Sequence, residues 1–387
     1  MEKVPITKIR VRNKRIKKII RIIKKCESFL FISYIDPDAL GSMLALGLVL
    51  KRLHKTVAFY MPDKSNEKVK YLSNIINYND INIILSPEGI KPESFDCLIF
   101  NDTANRKVIP YYKHLESIFN NRKISVIETD HHFGTDSARV ARRSVTLFEK
   151  ANANCEIITK ILYKMNNDKE IKNEISNDTL FKRNILLCLL TGIISDTQFG
   201  KYLINKKQYH FFMQFLSLRL ELSTFSRHQY FQSPKDIYKY LVELSEENIH
   251  CVDILISHAE KRKHLNILDL TDSSPFGGIS AVKQCEYVDL EDINDILANK
   301  LPELHGNIGS LILEKDIEGT PVKYIKIRRS MSYKGFNIKS LESHFIENFG
   351  ELYIGGGGHE GACSFRVTKS SAEDFYQRLN AVFAHIQ

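Results

Sequence analysis

The chain has 387 residues, of which 43% are apolar, and a formal net charge of +9. This length allows two or three domains with substantial cores. The seven cysteines are scattered and form no CxxC pair, which argues against a disulfide framework or a cysteine zinc site and fits free thiols in a reducing cytoplasm. The sequence has no run of about eighteen apolar residues and no secretory signal. We therefore expect a cytoplasmic protein without a membrane span.

The positive charge is concentrated near the start of the chain. Ten of the eighteen residues in 8–25 are Lys or Arg. Isoleucines recur there at helical spacing, which predicts a helix: Ile16, Ile19, Ile20 and Ile23. The basic side of this helix has two interpretations. It could make a weak contact with nucleic acid or an anionic membrane surface, or it could be the solvated face of a helix whose other face packs on the core.

Apolar runs alternate with longer amphipathic segments through the first half of the chain. Continuous apolar strands separated by helices indicate a parallel sheet covered on both faces. The predicted strands are 28–35, 57–61, 96–100 and 124–128, and the predicted helices are 38–53, 152–165 and 181–197. The sequence therefore predicts an α/β fold for this half, over residues 1–200.

The second half has a different character. Residues 201–245 have helical patterns and no obvious chemistry, so we expect a helical connector there. Strand-like runs then return, and a cluster of glycines follows them; the runs are 265–270, 308–315 and 322–330. These features predict a second, smaller α/β domain over residues 246–387.

Acidic residues and histidines follow the predicted strands of the first half, except 57–61, at the point where each strand ends. They come from four separate segments: Asp36 and Asp38, Asp102, Asp130 with His131 and His132, and Asp196 at the end of a predicted helix. The carboxyl ends of parallel strands face one crevice, which is where ligands bind in such sheets. We therefore expect these side chains to lie close together.

Such a cluster needs compensation, because carboxylates a few ångströms apart repel one another. Carboxylates with some imidazole suit Mn²⁺ or Mg²⁺, and a pair of ions about 3.5–4 Å apart would stabilise an in-line displacement at phosphorus. Each piece also has an ordinary interpretation by itself. Asp36 or Asp38 could cap the next helix, Asp102 could be a turn residue, and the two histidines could be satisfied structurally.

These segments resemble the motifs of a known family. "DPDALGS", "NDT", "TDHH" and "GIISDTQFG" look like successive motifs of the DHH phosphoesterase superfamily. "GGGGHEGACSF" resembles the signature of the DHH-associated C-terminal domain. The subgroup that the chain resembles is the two-domain oligoribonuclease and 3'-phosphoadenosine-5'-phosphate phosphatase type. That subgroup also includes hydrolases of linear and cyclic dinucleotides.

The resemblance implies two Mn²⁺ ions, with Mg²⁺ as the alternative. The implied ligands are Asp36 for the first ion, Asp38 for the second, Asp102 as a bridge, and His131 and Asp196 to complete the second site. Asp130 would support His131, and His132 would face the substrate phosphate or the nucleophilic water. Hydrolysis would then need no covalent enzyme intermediate.

The same resemblance assigns substrate binding to the C-terminal domain. The implied residues are Arg329, Ser330, Gly355, Gly356, Gly357, Gly358 and His359. Consecutive glycines allow the backbone N–H groups to form an anion-binding nest, and an Arg guanidinium suits bidentate contact with phosphate. For the glycine run alone, the ordinary interpretation is a flexible surface turn.

One position departs from the family pattern. Family members usually have a histidine four residues before the first Asp of the first motif, and this chain has Ile32 there. The first metal would then lack a protein ligand. The remaining ligand set is intact, which favours retained catalysis.

The functional hypotheses are of different classes. The leading one is a manganese-dependent hydrolase of short oligoribonucleotides or dinucleotides, yielding mononucleotides, and of 3'-phosphoadenosine-5'-phosphate. The alternatives are a cyclic dinucleotide phosphodiesterase, a pyrophosphatase or polyphosphatase, or a catalytically weakened nucleotide-binding regulator, which Ile32 would favour. A homodimer is the candidate assembly.

Overall fold

The structure, a computed structural model, describes residues 7–62, 69–133, 137–223, 231–272, 278–285, 288–304, 307–317, 320–330, 332–333 and 335–386. The chain divides into two compact units; among the described residues, the first comprises 7–132 and 137–241, and the second comprises Phe133 and the residues from Val242 onwards. Each unit contains one β-sheet and several α-helices.

The first unit is built on a six-stranded parallel sheet within the described residues. Its strands are β1 (Ser28–Ile32), β2 (Thr56–Tyr60), β3 (Asn82–Ile84), β4 (Cys97–Asn101), β5 (Ser125–Asp130) and β6 (Val145–Phe148). They lie in the order β3-β2-β1-β4-β5-β6, and every neighbouring pair is parallel. The parallel sheet predicted from the continuous apolar runs is confirmed. The short strands β3 and β6 were not predicted.

Helices cover both faces of the sheet, and three of them also connect its strands. They are α1 (Ile9–Lys25), α2 (Pro37–Arg52), α3 (Lys70–Tyr78), α4 (Tyr112–Phe119), α5 (Asn154–Met165), α6 (Lys169–Glu174), α7 (Arg183–Thr197), α8 (Lys206–Leu222) and α9 (Pro234–Val242). Alternate residues of β1 point to opposite faces: Phe29 and Phe31 join one apolar core, and Leu30 joins the other. Burial on both faces explains why the strands are apolar without interruption.

The order of the strands determines where a ligand can bind. The sheet grows from β1 in two directions, towards β2 on one side and β4 on the other. The connections that leave β1 and β4 therefore diverge and leave a crevice at the carboxyl ends of these strands, the usual ligand position in an open α/β sheet. Asp36 and Asp38 follow β1, and Asp102 follows β4.

The helix predicted over 8–25 is present as α1. Its isoleucines are buried in the first unit, while most of its Lys and Arg side chains stay exposed. No helix in the described part of the chain has the length and hydropathy needed to cross a bilayer.

The segment expected to be a helical connector contains α8 and α9. Phe212, Leu216 and Leu220 of α8 are buried in the core of the first unit. The burial of these side chains means that α8 contributes to that core. Residues 224–230 lie outside the described residues.

The second unit contains a mixed six-stranded sheet within the described residues. Its strands are β7 (Glu260–Lys261), β8 (Leu265–Asp269), β9 (Ile308–Ile317), β10 (Thr320–Arg329), β11 (Tyr353–His359) and β12 (Ala362–Thr368). The order is β11-β12-β10-β9-β8-β7, and only the β8–β9 pair is parallel. Its helices are α10 (Glu246–Ser257), α11 (Gly278–Lys283), α12 (Leu290–Lys300), α13 (Leu341–Phe349) and α14 (Ala372–Phe383). The predicted smaller α/β architecture is confirmed.

Candidate metal centre

Asp36 begins α2. Its Oδ1 accepts hydrogen bonds from the backbone N–H groups of Asp38 (3.0 Å) and Ala39 (2.8 Å), so it is the N-cap of the helix. Both bonds use the same oxygen. Among the described residues, Oδ2 of Asp36 has no hydrogen-bond donor and is available to a ligand. The ordinary interpretation of this residue as a helix cap and its predicted role as a ligand are therefore compatible.

Asp38 is fully buried, and the amino end of a second helix stabilises it. Its carboxylate accepts hydrogen bonds from the backbone N–H groups of Asn154 and Cys155, in the first turn of α5. The first N–H groups of a helix have no partner within the helix and carry a partial positive charge. This contact offsets part of the cost of burying the carboxylate and fixes its orientation.

Asp102 occupies a left-handed backbone conformation directly after β4. Its φ is +52°, and its backbone N–H donates to the carbonyl of Thr129 on the neighbouring strand (2.8 Å). Asp and Asn tolerate this conformation better than most residues. The turn directs the buried carboxylate of Asp102 to the carboxyl edge of the sheet.

The Asp130-His131-His132 segment is organised by Asp130. Its Oδ1 accepts hydrogen bonds from the backbone N–H of His131 (2.9 Å) and from the backbone N–H and Nδ1 of His132 (3.2 and 2.8 Å). The His131 Nδ1 lies 3.3 Å from the carbonyl of Ala151. A ring that donates through Nδ1 to a carbonyl turns its Nε2 towards other partners.

The donor atoms converge on the His131 ring. Its Nε2 lies 3.1 Å from Asp196 Oδ2, 3.2 Å from Asp102 Oδ1 and 3.7 Å from Asp38 Oδ2. One ligand atom from each of Asp38, His131 and Asp196 lies within 4.8 Å of the others, and the same holds for Asp102, His131 and His132. The structure thus brings residues of α2, α7 and the segments that follow β4 and β5 into two donor groups that share His131.

Burial and the charges of neighbouring groups strongly shift the pKa values of these side chains. Burial raises the pKa of Asp38 and Asp196. Burial alone would lower the pKa of His131, but Asp102 and Asp196 outweigh it, and the pKa lies well above its ordinary value. For Asp102 the balance reverses: burial raises its pKa, and the two adjacent imidazoles outweigh burial and lower it. The cluster therefore requires positive charge at its centre.

A divalent cation fits this arrangement. Oδ1 of Asp102, Oδ2 of Asp130 and Nε2 of His131 are buried and form no hydrogen bond with the described residues. Oxygen and imidazole donors suit Mn²⁺ or Mg²⁺. The nearby thiol of Cys155 is a poor competitor, because burial raises its pKa well above the ordinary value and the metal-binding form is the thiolate. Asp36, Asp38, Asp102, His131 and Asp196 are the residues that could hold the ions.

The sequence of the first unit matches a known family. Residues 29–193 match the family model described as the N-terminal domain of the DHH family. The chain therefore contains a DHH-family domain. The matched range ends three residues before Asp196 and includes the other members of the cluster. Members of the DHH superfamily are phosphoesterase hydrolases.

Solved structures resemble the chain along most of its length. An exopolyphosphatase-related protein from Bacteroides fragilis has 17% sequence identity and a TM-score of 0.68, with 96% of each chain covered. RecJ from Thermus thermophilus, in complex with Mn²⁺, has 13% identity and a TM-score of 0.47, with 99% of this chain and 55% of RecJ covered. The first likeness establishes the fold. No curated protein matches the sequence.

Ile32, at the position where the resemblance implies a histidine, is fully buried in the DHH domain. It belongs to an apolar cluster with Tyr60, Leu98 and Phe100. An apolar side chain in that environment contributes packing and no donor atom. Asp36 and Asp102 therefore remain as the implied protein ligands of the first ion.

Arg329 and Ser330, the predicted phosphate-binding pair, lie at the end of β10 in the second unit. One guanidinium nitrogen of Arg329 donates to the carbonyl of Phe336 (2.6 Å). Ser330 is buried, and its hydroxyl lies 2.8 Å from the hydroxyl of Ser332. Both side chains are held by local contacts, which pre-organises them. Their role in binding phosphate stays a prediction.

The glycine run lies in β11 and not in a flexible turn. β11 pairs with β12 and forms one edge of the sheet within the described residues. A Cβ on Gly356 would overlap the ring of Phe365, and a Cβ on Gly358, where φ is +139°, would overlap the carbonyl of Ala362. Close packing therefore explains two of these glycines without a ligand. Binding of an anion by Gly355, Gly356, Gly357 and Gly358 stays a prediction, and the side chain of His359 lies outside the described residues.

The residues that hold the Asp38 carboxylate in position were not identified from the sequence. Gly192 of α7 lies so close to Asp38 and Cys155 that a Cβ on it would overlap the carboxylate oxygen and the sulfur. The available signal was the glycine itself. An isolated glycine inside an apolar helical pattern destabilises the helix relative to alanine, so its presence suggests close packing. The N–H groups in the first turn of α5 could not be recognised in the sequence as partners of Asp38, because every helix has such groups.

The metal-free DHH domain is expected to lose stability as the pH rises from about 5 to about 8. Burial, with Asp102 and Asp196 nearby, raises the pKa of Asp36 from 3.8 to about 8. The folded state then binds a proton that the unfolded chain has lost, so stability falls with pH across this window. The raised pKa of His131 and His132 acts in the same direction, because the protonated rings are favoured in the fold.

Mn²⁺ should oppose this loss, because its ligands must be deprotonated before they bind. We expect the rise in melting temperature caused by Mn²⁺ to be larger near pH 8 than near pH 5.5. Differential scanning calorimetry of metal-loaded and chelator-treated protein measures both quantities. An equal rise at the two pH values would contradict the assignment of this cluster as the metal site.

Proposed function

We propose that the protein is a two-metal, manganese-dependent phosphoesterase that hydrolyses short oligoribonucleotides or dinucleotides to mononucleotides. 3'-Phosphoadenosine-5'-phosphate belongs to the same proposed substrate range. Mg²⁺ is the alternative metal. The observation that carries the proposal is the convergence of three carboxylates from separate segments, two of them buried, on the Nε2 of His131.

The ions, when bound, would act as Lewis acids that neutralise charge on the phosphoryl oxygens. The residues of this chain would hold them as the resemblance implies, with Asp36 at the first ion, Asp38, His131 and Asp196 at the second, and Asp102 shared. Asp130 would act as a positioning residue, because it fixes both the backbone and the ring of His132.

His132 is the proposed residue in contact with the reacting phosphate. Its side chain is 37% exposed, whereas that of His131 is 10% exposed, so His132 is the more accessible ring. Burial would lower the pKa of His132, but Asp130 and Asp102 outweigh burial and raise it to about 10. A protonated His132 would donate a hydrogen bond to a phosphoryl oxygen and favour an anionic substrate.

The residues of the second unit that the resemblance assigns to substrate binding favour a nucleotide as the substrate. Arg329 supplies a guanidinium, which binds phosphate in a bidentate manner, and Ser330 supplies a hydroxyl. The glycine strand 355–358 lies at a sheet edge, where alternate backbone N–H groups point away from the paired strand. These groups are the proposed contacts to the terminal phosphate or base.

The test is incubation of the purified protein with Mn²⁺ and an end-labelled five-nucleotide RNA, followed over time. We expect stepwise release of mononucleotides, abolished when a chelator removes the metal. The same protein is then assayed with the linear dinucleotide pApA, cyclic di-AMP, 3'-phosphoadenosine-5'-phosphate and inorganic pyrophosphate.

The pattern of products separates the candidate functions. Faster hydrolysis of pyrophosphate than of any nucleotide would overturn the nucleotide assignment and leave a pyrophosphatase. Hydrolysis of cyclic di-AMP alone would identify a cyclic dinucleotide phosphodiesterase. Binding of nucleotides without turnover of any substrate would indicate a regulator, which is the one outcome that Ile32 favours.

A further inference from the structure

The basic face of α1 remains accessible after the helix has packed on the first unit. The isoleucine stripe of α1 is buried, with Ile19 and Ile23 fully inaccessible. An amphipathic helix that binds a bilayer inserts this apolar stripe among the lipids. In α1 the stripe is already part of the protein core, so the exposed surface offers mainly charge, together with Val11, which is 37% exposed.

A cavity of about 280 Å³ lies between α1 and the segment that leads into β6. Its polar lining consists of Lys14, Arg15, Lys18, Arg139 and Ser144. Four of these side chains are cationic, and no carboxylate lines the cavity among the described residues. A concave site with this charge suits an anion that can contact several cations at once.

The ion pairs of α1 lie at its two ends and leave the middle unneutralised. Arg12 lies 3.9 Å from Glu149, and Lys24 lies 2.6 Å from Glu170. Between them, Lys14 and Lys18 are exposed and have no carboxylate within 4 Å in the described part of the chain. Their charges are therefore available to a partner.

Among the cationic residues of α1 that line the cavity, Arg15 differs from Lys14 and Lys18 because it anchors the helix to β6. One of its guanidinium nitrogens donates to the backbone carbonyl of Thr146 in β6 (2.7 Å). Arg139 lies near the buried carboxylate of Glu128, which accepts hydrogen bonds from the backbone N–H groups of Val140 and Ala141. The hydrogen bond to Thr146 holds Arg15 in place at the wall of the cavity.

The residue that precedes α1 by two positions, Thr7, lies one strand away from the metal centre, and the basic cavity lies further along the helix. The backbone N–H of Thr7 donates to the carbonyl of Phe148 (2.7 Å), and Phe148 is the register partner of Asp130 in β5. Adjacent strands are about 4.8 Å apart. Further along α1, Arg15 meets Thr146, so the helix runs back along β6 from the carboxyl edge of the sheet. A polyanion on this surface could therefore extend away from the metal centre.

We propose that Lys14, Lys18 and Arg139 form an accessory site for the phosphodiester backbone of single-stranded nucleic acid. The site would contact phosphates without reading bases, because its charged side chains are all cationic and its lining, which also includes Val11 and Val145, contains no aromatic side chain. It lies outside the metal centre and does not depend on hydrolysis. Its function would be to retain strands longer than the proposed dinucleotide or pentanucleotide substrates.

The test measures binding of a fluorescein-labelled twenty-nucleotide RNA to the full chain in the presence of a chelator, which prevents hydrolysis. The test variant is Lys14→Ala/Lys18→Ala. The matched control is Lys164→Ala/Lys169→Ala, which removes two exposed lysines from helices of the same unit. Fluorescence anisotropy gives the Kd of each protein over a series of KCl concentrations.

We expect the test variant to bind at least about fivefold more weakly than the wild type and the control to stay within about twofold. The slope of log K against log salt should fall by about 0.7 for each lost phosphate contact, or about 1.4 in total. Equal weakening by both variants would show a diffuse charge effect and overturn the proposal. Unchanged binding by Lys14→Ala/Lys18→Ala would also overturn it.

Binding to anionic vesicles tests whether the partner of this surface is a membrane and not a nucleic acid. Co-sedimentation with phosphatidylserine vesicles should be equally low for the wild type and Lys14→Ala/Lys18→Ala. Binding to vesicles that is lost in this variant, with RNA binding intact, would replace nucleic acid by a membrane surface. Hydrolysis of pApA by the variant should match the wild type, so failure of the accessory site and failure of the proposed activity are separable.

Discussion

Asp102→Asn is expected to lower the rate of Mn²⁺-dependent hydrolysis by more than about 100-fold, since even residues that only support metal ligands account for losses of 10- to 100-fold. Asp102 is the carboxylate that the two proposed ions would share, and its Oδ1 faces His131 Nε2 at 3.2 Å. Asn keeps the size of the side chain and tolerates the left-handed backbone at this position, where φ is +52°. The variant therefore removes a charge and a ligand while it preserves the turn.

Stability measurements separate this loss of chemistry from a loss of fold. Without metal, we expect a decrease in Tm, because the neighbouring imidazoles hold the pKa of Asp102 below its ordinary value and its charge therefore contributes to the fold. With Mn²⁺, the rise in Tm seen for the wild type should be largely absent. Calorimetry with and without Mn²⁺, together with the hydrolysis assay, checks both expectations.

Asp80→Asn is a matched control for this experiment. Asp80 is exposed, lies in the loop after α3, and also has a left-handed backbone, with φ at +48°. The same chemical change at the same backbone conformation should leave hydrolysis and the Mn²⁺ response unchanged. Full activity of Asp102→Asn, or an equal loss in Asp80→Asn, would contradict the role given to Asp102.

The sequence was informative about the sheet because burial on two faces leaves a simple pattern. Strands β1, β2, β4 and β5 are continuous apolar runs, and they were predicted within a few residues of their observed bounds. The acidic residues after β1, β4 and β5 were then expected to meet at one edge, which follows from parallel strands alone. β3 has only three residues, and β6 has four, so neither carried enough pattern to be recognised.

The supporting contacts of the candidate site could not be predicted in the same way. Asp38 accepts hydrogen bonds from residues 116 and 117 positions later in the chain, so the contact depends on how α2 packs against α5. The cavity beside α1 likewise requires Arg139 to meet Lys14, which no local pattern encodes. Local rules predict elements and their edges, whereas these contacts exist only after the elements have packed.

Gly192→Ala is expected to lower hydrolysis by about 10- to 100-fold, because a displacement of about 1 Å at a reacting group can cost about 100-fold. The added Cβ would overlap a carboxylate oxygen of Asp38 and the sulfur of Cys155. Asp38 has little room to move, since the N–H groups of α5 hold its carboxylate from the other side. Overpacking costs about 1–3 kcal/mol, and the better helix propensity of Ala returns about 1 kcal/mol.

Gly47→Ala is the control that makes this prediction specific. Gly47 is also a helical glycine in a crowded position, but its Cβ would meet the tip of the Phe59 ring at 2.9 Å, far from any carboxylate of the cluster. We expect Gly47→Ala to change the melting temperature by a similar amount and to leave kcat close to that of the wild type. If both variants lost activity in proportion to their stability, Gly192 would be a packing residue only. A loss of kcat confined to Gly192→Ala, with a weaker response to Mn²⁺, would establish that this glycine sets the position of Asp38.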